Sequence, residues 1–113
     1  MLYKHNMSSE DEEDKVFKAL GNRVRRHLLD RLKDDPATTG TLCDAFPELD
    51  RCTVMQHLKV LEDAGLVVAR RAGRERWNHL NAIPIAALHE RWIGSYAAYA
   101  ADKLLQLQRG LEG

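Results

Sequence analysis

The sequence predicts a mainly helical fold, in which four helices are followed by a β-hairpin and by one long helix. Three observations lead to this prediction. Apolar residues recur every three or four positions through residues 16–32 and 54–61, as on the buried side of an amphipathic helix. Two short β-prone runs, at residues 66–71 and 75–80, then flank a turn that contains glycine. A last apolar stripe covers residues 84–109 at helical spacing.

Length and composition fit one domain without a membrane segment. The chain has 113 residues, of which 44% are apolar and 30% are charged, enough to bury one core. Seventeen basic residues balance seventeen acidic ones, which excludes a generally basic nucleic-acid binder but not a local basic face. No apolar run approaches the roughly 18 residues of a membrane helix, and no signal core begins the chain. We therefore expect a cytoplasmic protein.

Capping residues and breakers place the expected helix boundaries. We expect residues 1–8 to be flexible and the first helix to begin at Ser9, which forms a capping-box pattern with Glu12. The other boundaries follow from the same kinds of residue. They are helix starts at Asn22, at Thr38 or Thr39, at Asp50 and at Pro84, and helix stops at Gly21 and Gly65.

The third and fourth helices have the spacing of a helix-turn-helix, and the hairpin after them has the spacing of a wing. The predicted fold is therefore a winged helix-turn-helix of order α-α-α-α-β-β-α over residues 9–113. The helices at about residues 9–20 and 84–109 carry more apolar surface than one small domain buries, which favours a homodimer. The residues expected at the dimer interface are Phe17, Leu88, Trp92, Tyr96 and Tyr99.

The fourth helix has a polar face that is suited to DNA. Arg51 and Gln56 are residue types that pair bidentately with guanine and adenine, and Lys59 suits a phosphate. A charge run by itself is more often a solvated helix face, but here it coincides with an arginine-rich wing. The residues expected to contact DNA are Thr38, Thr39, Arg51, Cys52, Met55, Gln56, Lys59, Arg74 and Arg76.

Two stretches give the chain its resemblance to the ArsR family of bacterial repressors: VFKALGNRVRRHLLDRL and TVMQHLKVLEDAGLVVARRAGRERWNHLN. The last helix, IPIAALHERWIGSYAAYAADKLLQLQRGLE, resembles a subgroup that is rich in tryptophan and tyrosine and lacks the family's metal ligands. The resemblance covers about residues 14–109. It implies a homodimer joined by its first and last helices, a palindromic operator, and release of the operator when an effector binds.

Comparison with the metal-binding members of this family leads us to expect that the protein uses no metal or other cofactor. Metal sensors of the family carry Asp-x-His on the last helix, followed by His and Glu. With His89 as the first histidine, the other ligand positions hold Ala87, Ala100 and Lys103, none of which completes a metal site. Cys43 has no Cys-x-Cys partner for a thiolate site.

Two alternative functions stay open at this point. Cys52 lies on the expected DNA face, so its oxidation, or a disulfide with Cys43, would disturb recognition and make the protein a thiol-redox-sensing repressor. A winged-helix interaction module without specific DNA binding is the other alternative. An enzyme is not expected, because the sequence contains no nucleophile, phosphate-binding or metalloprotease motif and therefore no catalytic residues to name.

Overall fold

The computed structural model describes residues 2–112, and the side chains of residues 9–112. Its elements follow one another along the chain as α1 (Leu2–Leu20), α2 (Arg23–Asp34), β1 (Ala37–Thr38), α3 (Thr39–Ala45), α4 (Arg51–Asp63), β2 (Val67–Ala72), β3 (Glu75–Leu80), α5 (Ile83–Leu88), a π-helical turn (His89–Ile93) and α6 (Gly94–Glu112). The three strands form an antiparallel sheet in the order β1-β3-β2. The predicted mainly helical, winged helix-turn-helix architecture is confirmed.

Helices α2, α3 and α4 begin where capping side chains satisfy their first backbone N–H groups. The Asn22 side chain accepts from the Arg25 N–H at 3.2 Å, and the Thr38 hydroxyl accepts from the Thr41 N–H at 3.1 Å. The Asp50 carboxylate accepts from the Thr53 N–H at 2.7 Å, and this hydrogen bond holds the pKa of the Asp50 carboxyl below its usual value. These caps confirm the predicted starts.

Helix α1 begins at Leu2, seven residues before the predicted start at Ser9. The capping-box pattern of Ser9 and Glu12 therefore lies inside the helix, where the preceding turn already supplies backbone partners. The flexibility of residues 1–8 remains a prediction, because their side chains lie outside the described part of the chain. Strand β1 was not predicted, because two residues are too few for a period-2 pattern; it pairs Ala37 with Asn78 of β3.

The last helix runs from Ile83 to Glu112, but it is not one uninterrupted α-helix. The π turn at His89–Ile93 holds one extra residue, which rotates the following side chains by about 100° around the axis. A Cβ at Gly94 would lie 3.2 Å from the His89 carbonyl oxygen, so a glycine fits this turn closely. The prediction of one uninterrupted α-helix with a single apolar stripe is therefore wrong: Leu88 of α5 is buried, whereas α6 contains no buried residue.

The hydrophobic core lies between α1, α2, α3, α4, the base of the wing and α5. Its most deeply buried large side chains are Leu28, Leu42, Val54, Leu58, Leu61, Leu66 and Val67. Leu88 of α5 is only 4% exposed and belongs to the same core. This corrects its expected place at a dimer interface, because a side chain buried within its own chain has no surface left for a partner. By contrast, α6 contains no buried residue.

Candidate nucleic-acid interface

Helix α4 buries one side and exposes the other. Val54, Leu58 and Leu61 are at most 2% exposed and anchor the helix in the core. The opposite side is solvent-exposed and brings together four residues expected to contact DNA: Arg51, Cys52, Met55 and Gln56. Their three- and four-residue spacing places these side chains on adjoining turns, so the face can enter a groove as one surface.

Lys59 continues the exposed side of α4 and makes an ion pair within its own helix. Its Nζ lies 3.5 Å from a carboxylate oxygen of Asp63, four residues later, and both side chains are exposed. An exposed ion pair of this kind contributes roughly 0–1 kcal/mol to stability. Lys59 can therefore exchange Asp63 for a DNA phosphate at little cost.

The two threonines expected to contact DNA are buried and make their hydrogen bonds within the protein. Thr38 is 9% exposed and Thr39 is 5% exposed. The Thr38 hydroxyl caps α3 and donates to the Thr41 hydroxyl at 2.9 Å, while the Thr39 hydroxyl accepts from an amide described below. This corrects the prediction, because a buried hydroxyl with internal partners does not reach DNA. Thr41, which is exposed, is the threonine of α3 that faces solvent.

Asn78 of β3 was not singled out from the sequence, although it connects the wing to the helix-turn-helix. It is fully buried, and its Nδ2 donates to the Ala37 carbonyl and to the Thr39 hydroxyl, both at 3.2 Å. Its Oδ1 is buried without a hydrogen-bond partner. The sequence offers no signal for this role, because most of β3 (Glu75–Leu80) is polar and Asn78 does not stand out in it. Its two bonds hold the start of α3 against the centre of the sheet.

The wing presents arginines at its tip and along its outer strand. Gly73 adopts a left-handed backbone with φ of 66°, which makes the tight turn between β2 and β3. Arg74, beside it, is exposed as predicted, and Arg70 and Arg71 of β2 are exposed as well. These last two were not among the expected DNA contacts, because a strand pattern alone does not say which face is free.

Arg76 departs from its expected role at DNA. It is half-buried, forms an ion pair with Glu62 near the end of α4, and has its Nε buried without a partner. A guanidinium that is bound to a carboxylate on the neighbouring element connects the wing to α4 and does not point freely at a duplex. We therefore correct its assignment from DNA contact to a contact that holds the wing.

The aromatic residues expected at a dimer interface differ in exposure. Phe17 is 44% exposed, and Tyr96 and Tyr99 are each 61% exposed. Trp92 is half-buried: its indole N–H donates to the Glu13 carboxylate of α1 at 2.9 Å, and its ring stacks on that of Tyr96 at 6.1 Å. Trp92 thus ties the last helix to α1. Further apolar side chains that remain exposed beyond it are Ile93, Leu104, Leu107 and Leu111.

A groove of about 600 Å³ lies where α1, the end of α4 and α5 meet. Val16, Pro84 and Leu88 contribute apolar surface, and Glu12 and Asp63 contribute carboxylates. This volume falls within the range of small-molecule sites. The groove lies between the expected dimerisation helix α1 and the end of α4.

The two cysteines are free thiols in different surroundings. Cys43 is half-buried against the core, and Cys52 is exposed on α4. Among the residues whose side chains are described, no three His, Cys, Asp or Glu residues are grouped so as to hold a metal ion. Within residues 2–112, no helix combines the length and apolarity needed to cross a membrane.

Comparison with known proteins identifies related chains and folds. A profile described as a helix-turn-helix domain matches residues 20–70. The HTH-type transcriptional regulator Rv2034 of Mycobacterium tuberculosis is 36% identical over 98 residues, which are 83% of this chain and 91% of that protein. The transcriptional repressor SdpR of Bacillus subtilis is 32% identical over 66 residues, which are 58% of this chain and 72% of that protein.

The fold comparison agrees with the sequence comparison. The crystal structure of the ArsR family transcriptional regulator RHA00566 matches with a TM-score of 0.72 and 28% identity, covering 81% of this chain and 93% of that chain. These relatives and fold neighbours are transcriptional regulators and not enzymes. The chain therefore belongs to the ArsR family of winged helix-turn-helix transcriptional regulators.

Proposed function

We propose that this chain is a sequence-specific DNA-binding repressor that acts in the cytoplasm as a homodimer on a palindromic operator. The observation that carries the proposal is the exposed side of α4, which includes Arg51 and Gln56, together with an arginine-rich wing that an ion pair holds to the end of the same helix. The buried apolar side of this helix packs into the core and leaves its polar side exposed to solvent. Such a surface matches the major groove, with the wing arginines on the flanking backbone or minor groove.

The homodimer is supported by the apolar surface that the single chain leaves uncovered. Helix α6 has 19 residues, none of them buried, although Leu104, Leu107 and Leu111 repeat at the spacing of one helix face. Burying such a face releases about 25 cal/mol for each Å² of apolar surface removed from water. In a two-fold dimer, two copies of α4 would enter successive major grooves roughly 34 Å apart, which requires a palindromic site.

Repression and independence from metals belong to the same proposal. One relative is named a transcriptional repressor, and a protein that occupies an operator within a promoter blocks transcription by occlusion. The positions at which a metal sensor of the family would carry further ligands hold Ala87, Ala100 and Lys103. We propose no cofactor, and an effector of unknown identity for which the groove between α1 and α5 has a suitable volume.

A selection of genomic fragments with the purified protein tests the proposal. We expect one palindromic site, bound by a dimer, and we expect Arg51→Ala to weaken that site more than random duplex. Arg23→Ala is the matched control, because Arg23 is also an exposed arginine but lies on α2. A clean dimer that recovers no specific fragment would instead favour the interaction module without DNA binding.

A thiol-redox-sensing repressor is the second candidate function, favoured by the exposure of Cys52 on the same side of α4 as Gln56. Oxidation there would place a bulky charged group, or a disulfide to Cys43, at the DNA surface. Operator binding is to be compared with and without peroxide for the wild type and for Cys52→Ser. A variant that stays as sensitive to peroxide as the wild type would eliminate this candidate.

A further inference from the structure

Two arginines of α2 cap the carboxyl end of α1. The last four carbonyl oxygens of a helix have no partner within it. Here the Gly21 N–H donates to the carbonyl oxygens of Phe17 and Lys18. The Arg25 guanidinium donates to Ala19 O at 2.8 Å and to Lys18 O at 3.0 Å, and Arg26 donates to Leu20 O at 2.8 Å. Both cations also lie at the negative end of the helix dipole.

Of these two arginines, Arg25 also bonds to α4. The Nη1 of Arg25 lies 3.2 Å from Nδ1 of His57, which is in the middle of that helix. A guanidinium has donors and no acceptor, so Nδ1 must be the unprotonated nitrogen and the ring proton must reside on Nε2. The single side chain of Arg25 therefore bonds to α1 and to α4 at the same time, through three donors of one rigid plane.

His57 stands between the two sides of α4. Its neighbours in sequence are Gln56, on the exposed side, and Leu58, which is 2% exposed and part of the core. Burial and the nearby Arg25 charge both lower the pKa of the His57 imidazole, so the neutral ring that accepts the hydrogen bond is the form present at neutral pH. A bond at this position resists rotation of α4 about its own axis.

We propose that Arg25 is a positioning residue that fixes the rotation of the recognition helix α4 relative to α1. The inference rests on the proposed function, in which α1 belongs to the dimer interface and α4 enters DNA. Two recognition helices fit successive grooves only when each has a defined orientation relative to the dimer axis. The three hydrogen bonds of Arg25, two to α1 and one to His57 of α4, fix this orientation at the edge of the apolar core.

The core and not Arg25 supplies most of the stability, which separates positioning from folding. Leu28, Leu58 and Leu61 pack α2 and α4 together independently of the arginine. Replacement of the guanidinium by an ammonium keeps the charge near the end of α1, and thus its attraction to DNA phosphates. A lysine, however, presents one compact donor group that does not span Ala19 and His57 in this geometry.

The experiment compares Arg25→Lys with its matched control Arg26→Lys. Both variants keep the net charge and both weaken a bond to the end of α1, but only Arg25→Lys also loses the contact with His57 of α4. For each, the dissociation constants for the operator and for random duplex are measured at one salt concentration, together with dimerisation and the thermal midpoint. We expect Arg25→Lys to lose about tenfold or more in operator affinity, with random-duplex affinity changed less than twofold, and Arg26→Lys to resemble the wild type.

Changes at His57 provide the independent test if Arg25→Lys folds poorly. His57→Asn keeps an acceptor near the position of Nδ1, whereas His57→Ala removes it. We expect the first to retain most of the operator affinity, the second to match Arg25→Lys, and the double change Arg25→Lys with His57→Ala to lose no more than either alone.

Three results would overturn the inference. Equal operator affinities of Arg25→Lys and Arg26→Lys would show that the contact with α4 does not matter. Equal losses on operator and random duplex would show a general loss of DNA attraction. Additive losses at Arg25 and His57 would show that the two act separately. A wild type without any specific operator would instead refute the proposed function, and the inference with it.

Discussion

Asn78 offers the sharpest test of how the wing is joined to the helix-turn-helix. Replacing it by alanine removes the donor to the Ala37 carbonyl and to the Thr39 hydroxyl. Two hydrogen bonds of this type contribute about 2 kcal/mol together. A cavity of amide size costs roughly 1 kcal/mol more, and removal of the buried, unpartnered Oδ1 returns roughly 1 kcal/mol. The expected net loss of unfolding free energy is about 2 kcal/mol.

Urea denaturation followed by circular dichroism measures this loss, with Asn81→Ala as the matched control. Asn81 also bridges elements, donating to the Gly65 carbonyl at 2.9 Å and accepting from the Ile83 N–H at 3.2 Å, but it is only half-buried. Water therefore replaces part of its hydrogen bonding, and we expect a cost of about 1 kcal/mol or less. A loss at Asn78 below about 1 kcal/mol, or no larger than that at Asn81, would refute the reasoning from buried hydrogen bonds.

Three further predictions concern the last helix and His57. Trp92→Ala removes the stacked ring and the bond to Glu13, and we expect dimerisation and operator binding to weaken together; sedimentation showing an undiminished dimer at low concentration would contradict this. Gly94→Ala places a Cβ 3.2 Å from the His89 carbonyl oxygen and so disturbs the turn before α6. We therefore expect a lower dimer affinity by sedimentation. An unchanged dimer affinity would show that the π turn accommodates the added Cβ. Because the folded-state pKa of His57 lies below its ordinary 6.5, the unfolded chain binds the proton first. The wild type should therefore lose stability as the pH falls below about 6.5, and His57→Asn should lose less; parallel urea midpoints for the two proteins between about pH 8 and pH 5 would disprove the assignment.

Local chemistry accounts for what was predictable about the fold. The starts of α2, α3 and α4 are each marked by a side chain that bonds a backbone N–H three residues later, at Asn22, Thr38 and Asp50 respectively. The turn that follows α4 uses Gly65 at a positive φ of 76°. Such signals involve neighbours in sequence, so they can be read without knowing the fold. The same holds for the exposed side of α4, because helical periodicity separates it from Val54 and Leu58.

By itself, then, the sequence determined the order of the main helices and of the hairpin, the caps of α2, α3 and α4, and the polar side of α4, since each depends on contacts within a few residues. Only the tertiary structure decided how individual polar side chains are used. Thr39 and Arg76 have the chemistry of DNA contacts, yet Asn78 and Glu62, distant in sequence, engage them within the domain. In the sequence Arg25 is one of several surface charges, but in the folded chain its guanidinium bonds to both α1 and α4. The physical reason is that a hydrogen bond depends on which groups folding brings within about 3 Å, and that distance is not a local property of the chain.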